Sequence, residues 1–233
     1  MQKTISDLLI FLQKQLFPRQ RKINAGLFAL EILLLLLWAL ALFTALNNPQ
    51  QVFVFLEIGG KLGTASLLLF CLTLLPGIIV RLKVVPKLTL PIATLVTPFR
   101  RHLGILMFIT AFVHMSFSST LPYIALQLNK VQSIAPMTFA QKLTVLSGVL
   151  PPPFRLFEQI ALIAWILLLP VWLTSNDFPM KKLGKWWKRL QRISYVALWL
   201  IFVHVALQKE SLALILLIIG LLEIYSWMSV WRR

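Results

Sequence analysis

Apolar residues in this chain neither alternate nor mark a single helical face. They run almost unbroken over stretches of roughly twenty residues, the length that crosses a bilayer core, and shorter segments rich in Lys, Arg and Pro separate them. Six such stretches are read as spans: Ala25–Leu46, Ile58–Val80, His102–Leu126, Phe157–Leu173, Leu190–Gln208 and Leu212–Val230. Helices apolar on every side belong in a large core or a membrane. The pattern therefore predicts an all-α integral membrane protein, a six-transmembrane-helix bundle occupying residues 25–233. Residues 1–24 form a basic segment of mixed polarity, read as a helix lying on the membrane surface or as a tail.

Composition agrees. Hydrophobic residues make up 59% of the 233, and mean hydropathy is +0.84. Charged residues are 13%, against about a quarter in soluble domains. Cys71 is the one cysteine, so an internal disulfide or a cysteine metal cluster is excluded. The first apolar run is long and lacks a small-residue cleavage site, so it is expected to remain as a helix rather than leave as a signal peptide.

A net charge of +16 raises nucleic acid as a partner, but its distribution points to lipid instead. Of the 23 Lys and Arg, all but Lys61, Lys130, Lys142, Arg155 and Lys209 fall in the N-terminal segment, the second–third and fourth–fifth connections and the C-terminus. That asymmetry predicts both termini on the cytoplasmic side of a bacterial-type plasma or inner membrane. The stretch Lys87–Phe99, with Pro91 and Pro98, reads as a dip into the interface. The connection 127–156 carries the mildly amphipathic Met137–Val149 and Pro151–Pro153. It is read as an outer loop that rests on the interface, caps a cofactor or docks a partner.

His114 and His204 stand inside two of the apolar runs, where a polar, metal-binding side chain is costly and usually functional. His114 lies about 18 Å into its span and His204 about 21 Å into its own, at 1.5 Å per residue. Two imidazoles at matching depth on parallel helices point to one haem iron held between them. Thr110, Ser116, Ser118 and Gln208 are nearby polar groups suited to orienting the rings or meeting haem propionates. Trp199 is a candidate to pack on a haem, with plain helix packing as the alternative. His102, after Arg100 and Arg101, reads as an interfacial base beside lipid phosphate. Glu31 and Glu223 read as snorkelling or paired with a nearby base, with a proton path or quinone contact as the alternative.

The run Arg100-Arg101-His102-Leu103-Gly104 followed by His114 resembles the third helix of the ferric reductase-like transmembrane domain. Leu173-Thr174-Ser175, Leu183-Gly184, Trp187 and Leu190-Gln191-Arg192-Ile193-Ser194-Tyr195, ending at His204, resemble its fourth and fifth helices. Within that group the chain is most similar to MsrQ, the haem-binding membrane subunits that serve periplasmic methionine sulfoxide reductases. The resemblance implies a six-helix domain carrying b-type haem, with the outer axial pair at His114 and His204. The inner pair falls on Arg100 and Gln191, neither an ordinary haem ligand, so one haem b is expected and a second lacks standard ligation. Gln191 is also 13 residues from His204, about 140° away around an ideal helix, so using both faces requires a distorted helix.

These readings predict a transmembrane cytochrome b that passes electrons to an acceptor protein at the non-cytoplasmic face. No Gly-rich nucleotide fingerprint is present, which leaves the donor to a separate reductase or a membrane quinol. About 20 Å of helix between the cytoplasmic surface and the iron favours a quinone-type donor dissolved in the bilayer. The alternative is a non-catalytic scaffold subunit of a larger complex. A transporter is disfavoured, since the spans show no paired broken helices.

Overall fold

The computed structural model describes residues 2–82, 93–132, 138, 141, 155–175 and 177–231. The stretch 87–92, almost all of the connection 133–154 and the two C-terminal arginines lie outside these residues. So do the expectations placed on them.

Helix α1 spans Gln2–Leu16 and α2 spans Gln20–Asn47. The N-terminal basic segment is thus helical, and α2 begins five residues before the predicted first span. A 3-10 turn at Pro49–Phe53 leads into α3, Val54–Leu82. Helix α4, Arg100–Met115, continues through a π-helical turn at Ser116–Thr120 into α5, Leu121–Gln132. Helix α6 is Leu156–Leu173, α7 Asp177–Leu183, α8 Lys185–Gln191, α9 Ile193–Leu207 and α10 Ala213–Trp231. By length and composition five stretches are able to cross a membrane: Gln20–Asn47, Pro49–Leu82, Ala93–Lys130, Leu156–Leu173 and Lys185–Leu207. Ala213–Ser229 is a shorter apolar helix. The all-α bundle expected from the hydrophobic runs is the fold observed.

Helices α3 and α4 form the centre. On one side Leu34, Ala41 and Ala45 of α2 pack against Leu106, Ile109 and Val113 of α4. On the other, Phe70, Cys71 and Leu74 of α3 meet Met107 and Phe108 of α4, Leu168 of α6, Leu198 and Val205 of α9, and Leu216 of α10. The outward faces stay apolar: Phe28, Leu33, Leu36, Phe43, Ile163 and Leu214 are exposed. That is the inside-out pattern of a bundle solvated by lipid rather than water.

The bundle is pinned at one end by a buried charge cluster. Arg81, at the end of α3, pairs with Glu223 of α10. Its Nε also donates to Ser226 Oγ at 2.9 Å, and its Nη1 to the Tyr195 hydroxyl of α9 at 3.3 Å. Its guanidinium lies 4.8 Å from the Trp227 ring centre, and Trp227 Nε1 donates to Glu223 Oε1 at 2.7 Å. Pairing with a base is thus what holds Glu223. Glu31 is buried instead in the α2–α4 interface, with its Oε1 4.0 Å from His102 Nδ1. His102 therefore turns inward rather than standing free beside lipid phosphate.

Candidate cofactor site

Helices α3, α4, α6 and α9 surround a cavity of about 490 Å³, within the range of small-molecule and cofactor sites. Both His114 of α4 and His204 of α9 line it. His114 Nδ1 lies 2.7 Å from the carbonyl oxygen of Gly59, and His204 Nδ1 lies 2.7 Å from that of Phe157. A carbonyl only accepts, so each Nδ1 carries the proton and donates, leaving Nε2 with its lone pair. Gln208 Nε2 is 3.3 Å from His204 Nε2, as fits an accepting nitrogen there. A ring held by its protonated nitrogen on a backbone carbonyl, with the other nitrogen left as an acceptor, is the usual preparation of a metal-ligating histidine.

Local sequence explains how the rings are held. Gly63 leaves no β-carbon where the His114 ring lies; one placed there would sit 2.7 Å from Cε1 and 2.8 Å from Nδ1. Gly59 presents its carbonyl to the same ring, and a β-carbon on it would crowd Ser118 Oγ at 2.9 Å. The π turn begins two residues after His114, a rare geometry that is frequent at functional sites. It brings Ser118 Oγ to 3.3 Å from His114 Nδ1. The polar residues expected around the rings divide accordingly. Ser118 and Gln208 touch them, whereas Thr110 Oγ1 donates to the Leu106 carbonyl at 2.7 Å. Trp199 packs into the gap left by Gly220 of α10, where a β-carbon would be 2.9 Å from its ring.

The donor set suits a haem. Two imidazoles with unprotonated Nε2 atoms line one chamber, which Phe70, Leu67 and Leu168 make apolar on one side and Ser118, Glu158 and Gln208 make polar on another. The buried indole Nε1 of Trp165, which lines the chamber, has no hydrogen-bond partner among the described residues. A buried donor without an acceptor is what a missing ligand leaves behind. Gly59, Gly63 and Trp165 were not singled out in the sequence. The cluster of glycines at 59, 60 and 63 in an otherwise leucine-rich run was the available signal.

The family model for the ferric reductase like transmembrane component matches residues 62–202, more than half of the chain. The chain belongs to this family. A relative from Brucella anthropi, the "Protein-methionine-sulfoxide reductase heme-binding subunit MsrQ", is 31% identical over 100 residues. The match covers 43% of this chain and 37% of that protein, so it spans well under half of the relative's length. No solved structure matches the chain significantly.

This ferric reductase-like chain has a second cavity, of about 400 Å³, nearer the Arg81–Glu223 end. Phe70, Met107 and Leu168 line both cavities and so form the septum. Above it Phe108 is stacked between Trp165 and Trp172, with ring centres 4.7 and 4.9 Å apart. Arg100 and Gln191 both line this second chamber. The helix distortion required for Gln191 and His204 to face two cavities is present: α8 ends at Gln191 and α9 begins at Ile193. Across the break the Arg192 N–H bonds the Arg189 carbonyl at 3.1 Å, and the Tyr195 N–H bonds that of Arg192 at 3.0 Å. These tight three-residue turns rotate α8 relative to α9.

Proposed function

We propose that this chain is the electron-transfer subunit of a membrane oxidoreductase system and holds one b-type haem between His114 and His204. The observation that carries the reading is the matched pair of Nδ1–carbonyl bonds, at 2.7 Å each, which present both Nε2 atoms to one cavity. Bound there by the two imidazoles, the haem would supply one-electron transfer chemistry.

The residues of the chain do the rest. Gly59 and Phe157 fix the tautomers, and Gly63 makes room for the His114 ring. With no histidine in the second cavity, the stoichiometry is one haem per chain. The acceptor is a protein, in keeping with a relative named as the haem-binding subunit of a protein-methionine-sulfoxide reductase, and the outer depth of His114 and His204 in their spans puts it on the non-cytoplasmic face. Both termini lie in the cytoplasm, following the basic connections. The donor is a membrane quinol, which reaches the buried site through lipid.

Pyridine haemochrome analysis of the purified protein tests this reading. One haem b per chain is expected, with a Soret band that disappears in His114→Ala and in His204→Ala. A well-folded but colourless protein would favour the scaffold alternative instead. If a cytoplasmic flavin reductase reduces the haem readily while reduced quinone analogues do not, the quinol assignment is lost.

A further inference from the structure

The second cavity differs in chemistry from floor to mouth. Phe70, Leu74, Phe108, Leu168 and Trp172 make an apolar floor. Its hydroxyls and one of its two indoles are already spent on backbone carbonyls. Thr73 donates to Phe70 at 2.7 Å, Thr97 to Ala93 at 2.6 Å, Ser175 to Val171 at 2.7 Å and Ser194 to Gln191 at 2.6 Å. Trp187 Nε1 donates to the Thr174 carbonyl at 3.1 Å. Arg101, also on the wall, has a partner of its own, and beside the Trp172 indole the donors left over are the Arg100 guanidinium and the Gln191 amide. Neither makes a side-chain hydrogen bond or ion pair with the described residues. Among the described residues no acidic side chain lines the cavity, and Glu223 is committed to Arg81 and Trp227.

We propose that this cavity binds one anionic phospholipid, with its phosphate on Arg100 and Gln191 and an acyl chain along the Phe70–Leu168 floor. Charge decides against a neutral occupant. A quinone or a zwitterionic headgroup can accept the free hydrogen bonds, but only a net anion also neutralises a guanidinium whose nearby carboxylate, Glu223, is already paired with Arg81. Arginine binds phosphate oxygens through two parallel N–H donors, and basic pockets between membrane helices on the cytoplasmic side select anionic lipids. The floor decides against free phosphate, because an inorganic anion would leave this apolar surface uncovered. The occupant would fill the inner chamber and support the septum that separates it from the cavity of His114 and His204.

The test is native mass spectrometry of the full-length protein released from mixed micelles of phosphatidylglycerol and phosphatidylcholine. One retained phosphatidylglycerol per chain is expected, preferred over phosphatidylcholine by about fivefold, the worth of one basic side chain near an anionic headgroup. Excess inorganic phosphate should not displace it. Arg100→Gln should abolish the preference. Leu74→Trp, which fills the floor and keeps the charge, should lower retention of both lipids, with thermal melting confirming that each variant is folded. Equal retention of the two lipids, undiminished phosphatidylglycerol on Arg100→Gln, displacement by phosphate alone, or a porphyrin in place of the lipid would each overturn the proposal. Haem content, counted separately, reports on the other cavity, so either conclusion can fail without the other.

Discussion

Gly63 and His114 are fitted to each other: the imidazole occupies the space where any other residue at 63 would place its β-carbon, 2.7 Å from Cε1. Four residues earlier on the same helix, Gly59 accepts the His114 Nδ1–H. Gly63→Ala must therefore push the ring away and break that bond, although alanine suits a helix better than glycine. Haem per chain should fall severalfold while helicity by circular dichroism is unchanged. Full haem occupancy in this variant would show that His114 does not ligate from the position seen here.

Gln208 touches the same nitrogen of His204 that the iron would take, at 3.3 Å. The amide has to swing aside for ligation, and it is exposed enough to do so. Gln208→Leu removes this competitor without touching the Phe157 bond that orients the ring. Haem affinity of the reconstituted protein should be equal to or tighter than that of the parent. A loss of about tenfold or more, the effect of removing a group that orients a metal ligand, would instead make Gln208 a necessary partner of the bound haem.

The second cavity has the volume for a ligand but lacks imidazoles. Arg100→His with Gln191→His places a histidine at each of the two lining positions. The double variant should raise the haemochrome count from one toward two per chain, and either single variant should not. A count that stays at one would show that the break at Arg192 leaves residue 191 wrongly aimed for coordination.

The membrane fold was legible because hydropathy acts over twenty residues at a time, and small errors of boundary do not disturb it. That His114 and His204 line one cavity was legible because helix rise converts spacing into depth. What escaped was local or distant. No residue pattern in Ser116–Thr120 marks the π turn after His114. The break at Arg192 was needed geometrically, yet no proline or glycine marks it. Gly63 could be read only once α3 and α4 were placed side by side. The inward turn of His102 depended on Glu31, some seventy residues away in sequence, lying on the facing helix.

Two buried carboxylates, Glu223 and Glu31, should answer mutation in opposite ways. Glu223 is met by Arg81, and its Oε1 also accepts from Trp227. Arg81→Met would strand the carboxylate in the bundle, a loss of about 3–5 kcal/mol. Adding Glu223→Leu to Arg81→Met removes the stranded charge and should recover much of the loss, because replacing both members of a buried pair with apolar residues is often nearly neutral. Glu31 is different. Its Oε1 has no hydrogen-bond partner among the described residues, and the nearby His102 Nδ1 has none either. Glu31→Gln keeps the shape and offers His102 a donor, which should raise stability by about 1 kcal/mol. Thermal melts of the purified protein in one detergent measure both. A Glu31→Gln variant that melts well below the parent would mean that this carboxylate is held by a partner, such as a buried water shared with His102, that a neutral amide cannot satisfy.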